Sequence, residues 1–143
     1  MVIFLITGCS VKPEPINYGI DACSYCNMTI VDKTHASQVV TKKGKQYKYD
    51  AIECMANDLL IKNNEADLAV MQVSNYSQPG EMIKTSEAYF FISKAIKSPM
   101  GANLTAVSTG EAAEKIIAEQ GGTRISWEEL KEKFTAQQNK NSN

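Results

Sequence analysis

The sequence predicts an α+β protein: two small ββαβ-type units packed together, with a C-terminal helix. Three observations carry that prediction. Short β-patterned runs bounded by turn residues recur in both halves of the 143-residue chain. Acceptor-x-x-Glu signals, which supply the first free amides of a helix with partners, stand at Asp50–Glu53, Ser108–Glu111 and Ser126–Glu129. Neither half alone is long enough to bury much apolar surface, so the two should share an interface, a common place for a ligand site.

The elements follow in order. Residues 37–42 (SQVVTK) and 45–50 (KQYKYD) flank Lys43-Gly44 and read as a hairpin. In residues 50–62 (DAIECMANDLLIK), Ile52, Met55, Ala56, Leu59 and Leu60 recur at helical spacing. Residues 68–74 (LAVMQVS) read as a strand, and Pro79-Gly80 breaks the pattern with a turn. The second half repeats the order. Residues 88–93 (AYFFIS) and 103–109 (NLTAVST) read as strands, and Ala112, Ala113, Ile116 and Ile117 line a helix that Gly121-Gly122 stops. Residues 123–126 (TRIS) make a short strand before a last helix with Trp127, Leu130 and Phe134 inward. The domain reading is 1–20 a truncated lipoprotein signal and tether, 21–76 the first unit, 77–136 the second, and 137–143 a polar, frayed tail.

Composition narrows the function classes. Hydrophobic residues make up 43% and charged residues 22%, as in ordinary globular proteins. Fifteen basic residues nearly balance sixteen acidic ones, and no stretch is strongly basic, which argues against nucleic-acid binding. No apolar run reaches the roughly 18 residues of a membrane span. The opening MVIFLITGCS contains Ile6-Thr7-Gly8-Cys9, which resembles a bacterial lipobox, although no Lys or Arg precedes it. Cys9 is therefore expected to carry lipid, anchoring the chain to a bacterial membrane through the proline-containing stretch SVKPEPINYGID. Cys23, Cys26 and Cys54 remain. An odd thiol set in an exported protein points to a reactive or metal-binding cysteine; a C-x-x-C disulfide plus one inert Cys54 is the bland alternative.

The chemistry concentrates in CSYCNM, residues 23–28. Thioredoxin-like redox work places C-x-x-C at a helix N-terminus, where the thiolate is stabilised. Here Thr29, Ile30 and Val31 follow, β-branched residues that suit a strand. Structural zinc wants four ligands, commonly two spaced pairs. Cys23, Cys26, His35 and Cys54 could supply Cys₃His, but the spacing has no zinc-finger signature. Soft Cu(I) favours thiolate and thioether together, which accounts for Met28 beside the thiols. In an extended segment Cys26 and Met28 would share a face, with Cys23 reaching back through the preceding turn. A further thioether, Met100, stands between Pro99 and Gly101, in a turn where burial is poor. Cys54 lies roughly opposite the Ile52–Met55–Leu59 stripe, so it should face solvent or the other unit, or pack as a half-buried thiol.

The stretches DACSYCNMTIVD, YKYDAIEC, AYFFISKAIKSPMGANLTAVST and WEEL resemble the NosL family, the lipoprotein accessory proteins of nitrous oxide reductase. The resemblance runs from about Asp21 to Leu130. It implies a periplasmic, lipid-anchored Cu(I) metallochaperone that supplies the copper centres of nitrous oxide reductase. It also implies two ββαβ-type units related to the organomercurial-lyase architecture. Carried onto this sequence, the metal set falls on Cys26, Met28 and Met100, with Cys23 as a fourth sulfur. His35 matches loosely, and Cys54 inherits no role.

The expectation is thus a non-enzymatic Cu(I) carrier, with Zn(II) a second possible metal. The rivals are a thiol enzyme, with Cys23, Cys26 or Cys54 as nucleophile and a carboxylate such as Asp50 as proton donor, and a zinc-stabilised periplasmic binding module.

Overall fold

A computed structural model describes residues 11–142. The lipobox expectation at Cys9 lies outside the described residues.

Strands β1 (Ser37–Thr41) and β2 (Gln46–Tyr49) form the expected hairpin. Its turn needs a positive φ, and Gly44 supplies one at 89°. Helix α1 (Ile52–Lys62) follows and ends at Asn63 in the left-handed region. Strands β3 (Leu68–Ser74) and β4 (Met82–Lys84) complete an antiparallel sheet in the order β2-β1-β3-β4. The second half supplies β5 (Tyr89–Ile92), β6 (Leu104–Val107), α2 (Gly110–Gln120), β7 (Thr123–Ile125) and α3 (Trp127–Asn141). Its antiparallel sheet runs β6-β5-β7.

The two halves therefore share one topology. In each, the first strand is central, flanked by its hairpin partner and by the strand that follows the helix. They differ at the hairpin tip. The first half has a tight turn at 42–45, where the second has the long loop 93–103 that carries Met100. Neither half is independent. One apolar core joins Tyr49, Ile52, Met55 and Leu59 of the first to Phe90, Leu104, Leu130 and Phe134 of the second. A smaller cluster of Phe91, Ile96, Val107 and Ala113 lies under α2.

Several local expectations change. The cap of α1 is Ala51, extended and without a side-chain bond, so Asp50–Glu53 is no capping box. Both carboxylates are buried and turned to other partners. Helix α2 is capped by Thr109, one residue later than expected, because Ser108 is engaged by Asn75. The capping box of Ser126 and Glu129 forms as read. Strand β4 carried no strand signal in the sequence; it is three residues long and held by its pairing with β3. The polar tail is helical to Asn141 rather than frayed, and Gln138 reaches Asn57 of α1 at 3.2 Å. Residues 12–15, expected as a tether, are fastened across β1 and β2. Gln46 bonds the Lys12 carbonyl and the Glu14 amide, Gln38 the Glu14 carbonyl, and Lys48 the Pro15 carbonyl.

Candidate metal centre

Residues 23–28 form a closed turn rather than an extended segment. The Cys23 amide donates to the Met28 carbonyl at 2.8 Å, the Asn27 amide donates to the Cys23 carbonyl at 3.0 Å, and Ala22 bridges Thr29. Closing it requires a positive φ at Asn27, 65°, a conformation asparagine tolerates. The turn is pinned to β2 in both directions: Ser24 N–H to the Lys48 carbonyl at 2.8 Å, and Lys48 N–H to Ser24 Oγ at 3.2 Å. No helix starts there, so the redox arrangement that C-x-x-C suggests is absent from this turn.

The turn faces the N-terminal end of α1. Asp50, just before that helix, and Cys54, four residues later, point the same way. The donor atoms of Cys23, Cys26, Asp50 and Cys54 all lie within 4.8 Å of one another. Cys23, Cys54 and Asp50 are buried, and Cys26 is half-buried. All three cysteines are unbonded thiols. Cys26 donates to Asp50 Oδ1 at 3.5 Å.

The electrostatics are uneven. A hydrogen bond from the Cys54 thiol draws Cys23 below the ordinary thiol value, to about 6. Burial opposes this, and the backbone amides of Cys26, Asp50 and Tyr25 assist it. Cys54 is pushed the other way by that same bond and by burial. Burial pushes Cys26 up to about 11. Cys23 is thus the most readily ionised of the three thiols, and a bound cation would favour loss of the protons from the other two. Three sulfurs at this spacing suit a soft, low-coordinate metal ion; the carboxylate adds a harder donor.

Other expected ligands are placed differently. Met28 and Met100 are 58% and 44% exposed. Met100 lines a cleft of about 520 Å³ with Cys54, Tyr25, Glu53 and Phe134. Met28 contributes backbone to the cluster, since its amide donates toward the Cys26 sulfur, while its side chain is at the surface. His35 is outside the cluster. It is buried, with Nδ1 2.8 Å from Asp32 and Nε2 3.3 Å from Thr105, so both ring nitrogens are engaged.

Comparison with known proteins decides the family. The sequence profile of NosL matches residues 18–135. The chain belongs to the NosL family. The copper-binding lipoprotein NosL of Stutzerimonas stutzeri is 26% identical over 144 residues, spanning 91% of this chain and 76% of that protein. The crystal structure of the copper chaperone NosL from Shewanella denitrificans superposes with a TM-score of 0.72 at 19% identity, over 84% of this chain and 96% of that one. At that identity the likeness speaks for the NosL fold, and it is the two-unit α+β fold read from the sequence. Both relatives are named for copper binding or delivery, neither for catalysis.

The three thiols singled out in the sequence converge here, whereas the sequence pattern places Asp50 and Glu53 in a helix cap. Asp50 was read as a helix cap or, in the enzyme reading, a proton donor, and Glu53 as the other half of the capping box. The signal that could have placed Asp50 was its position just ahead of the helix start, beside the turn of α1 that bears Cys54.

Proposed function

We propose that the protein is a Cu(I) carrier of the periplasm, anchored by lipid at Cys9, that supplies copper for nitrous oxide reductase. The observation that supports it most is the convergence of Cys23, Cys26 and Cys54 from two separate segments. In this reading Cu(I) rests on the thiols, and Cys23, the most readily ionised of them, is the first to bind. Asp50 accepts the proton side of Cys26 before metal arrives. Met100 caps the ion from the cleft, and exposed Met28 serves exchange at the surface. Low coordination by soft donors holds Cu(I) yet leaves room for an acceptor's sulfur or imidazole.

The fastened strap gives the anchor a geometric consequence. Cys9 precedes Lys12 by three residues, and the Lys12 carbonyl is fixed to Gln46. A lipid on Cys9 would therefore hold the domain within about 11 Å of the bilayer, at roughly 3.6 Å per residue.

Anaerobic titration of Cu(I) against a chromophoric chelator tests the site. Cys54→Ser and Cys23→Ser should each weaken binding by about 10-fold or more. Met100→Ala should weaken it more than Met82→Ala, since the Met82 sulfur in β4 accepts from the Ser74 hydroxyl in β3. Unchanged affinity in both cysteine variants would remove the site. Zinc is favoured by one observation, the carboxylate beside the thiols. Metal analysis of protein isolated from the periplasm separates the two: zinc in place of copper would support the structural-module reading. For the recipient, loss of copper from nitrous oxide reductase when this chain is deleted is the expected result.

A further inference from the structure

Glu53 stands immediately before Cys54 on α1, and its side chain is only 3% exposed. It points across the cleft to the loop that carries Met100. Glu53 Oε1 accepts from the Ser98 hydroxyl and from the Ala102 amide, the latter at 3.3 Å. Ser98 in turn closes the loop on itself. Its hydroxyl accepts from the Asn103 amide at 2.8 Å, its amide donates to Asn103 Oδ1 at 3.4 Å, and its carbonyl accepts from the Gly101 amide at 3.1 Å. Two positive φ values, Gly101 at 83° and Asn103 at 56°, make that closure possible. Met100 rides at the tip, 44% exposed, while Ser98 at the base is buried.

From this connection we propose that Glu53 is a positioning residue for copper. It ties the Met100 loop to the helix turn that bears Cys54, so thioether and thiol keep one separation across the cleft. The inference rests on the reading that Met100 meets the copper. Two features favour this role over a packing one. The loop is far longer than the equivalent hairpin turn at 42–45, so without a brace its tip would sample many positions. The other Glu53 oxygen, Oε2, is buried and has no hydrogen-bond partner, so an acid is kept here against a desolvation cost that an apolar packing residue would not incur.

The test uses the full chain and three variants. Glu53→Ala removes the brace from the helix side, Ser98→Ala removes it from the loop side without touching the helix, and Glu53→Gln keeps an acceptor oxygen. Amide hydrogen exchange of residues 98–103 in metal-free protein should accelerate in the two alanine variants and stay near wild type in the glutamine variant. Cu(I) affinity should fall by about 10-fold in both alanine variants. It should recover in Glu53→Gln and fall no further when Glu53→Ala is added to Met100→Ala. Unchanged exchange in Glu53→Ala and Ser98→Ala would overturn the brace. Faster exchange with unchanged affinity, while Met100→Ala still weakens binding, would overturn the positioning role and leave the copper function standing. Additive losses in the double variant would do the same. If Met100→Ala itself binds Cu(I) as tightly as wild type, the Met100 reading fails and the inference falls with it.

Discussion

At the residue scale, two polar assemblies shape the molecule, the first lying within one unit and the second bridging both. One is the thiol pocket. The other joins the segment before β1 to β6: Asp32 accepts from Thr34 N–H at 2.7 Å and lies 2.8 Å from His35, which reaches Thr105 across the core. Burial would raise the Asp32 carboxyl, but the bonds from Thr34 and His35 outweigh it, and the carboxyl lies below the usual aspartate value. A depressed carboxyl contributes stability that is complete above the unfolded value and is lost as pH falls through the folded one. Asp32→Asn should therefore cost about 1–3 kcal/mol at neutral pH. Urea unfolding across pH 3–7 should show that difference shrinking below about pH 4, where the wild-type carboxyl of the unfolded chain begins to protonate. A difference that stays constant down to pH 3 would deny the charge a role. At this same scale the thiols were legible as a motif, but their partners were not. Asp50 and Cys54 meet Cys23 and Cys26 only because the turn folds back on β2, a long-range contact that spacing along the chain does not encode.

At the element scale, the sequence showed most strands and all three helices, because their apolar faces are patterned and the starts of α2 and α3 carry acceptors. It missed β4, whose three residues are held by pairing with β3 rather than by any period of their own. It also placed the first helix cap on Asp50, since a short acceptor before an apolar run looks the same whether it caps or faces a buried thiol. The paired glycines after α2 were read as a stop, and they do more than stop. Gly121 ends the helix at φ 78°. Gly122, at φ 139°, lets β7 turn in against β5; a Cβ there would sit 2.7 Å from the Ile92 carbonyl oxygen. Gly122→Ala should destabilise by about 1–3 kcal/mol through strain and displacement of β7. Denaturant unfolding of the variant measures it, and a cost within a few tenths of that at the exposed Gly44 would show that β7 adapts freely.

At the scale of the whole molecule, repetition of one ββαβ plan explains why the site lies where it does. Each unit leaves an apolar helix or sheet face uncovered, and joining them buries both in one core. The seam that results carries Cys54 on one side and Met100 on the other. Metal held across a seam stabilises the folded state by mass action, by about 2.7 kcal/mol when free metal is a hundred times the dissociation constant. Anaerobic Cu(I) should accordingly raise the Tm of the wild type and raise it less in Cys54→Ser. Among the described residues no helix is long and apolar enough to cross a membrane. In the reading proposed above, attachment rests on the lipid at Cys9, and Cys9→Ser should release the protein from membranes in fractionation.

In the site proposed here, sulfur from the 23–28 turn and from α1 meets on a single copper ion. Copper K-edge X-ray absorption of the anaerobic one-to-one complex asks this directly. The expected result is a monovalent edge and a first shell of sulfur alone that loses a scatterer in Cys54→Ser. A shell dominated by nitrogen or oxygen, or one identical in wild type and Cys54→Ser, would contradict it.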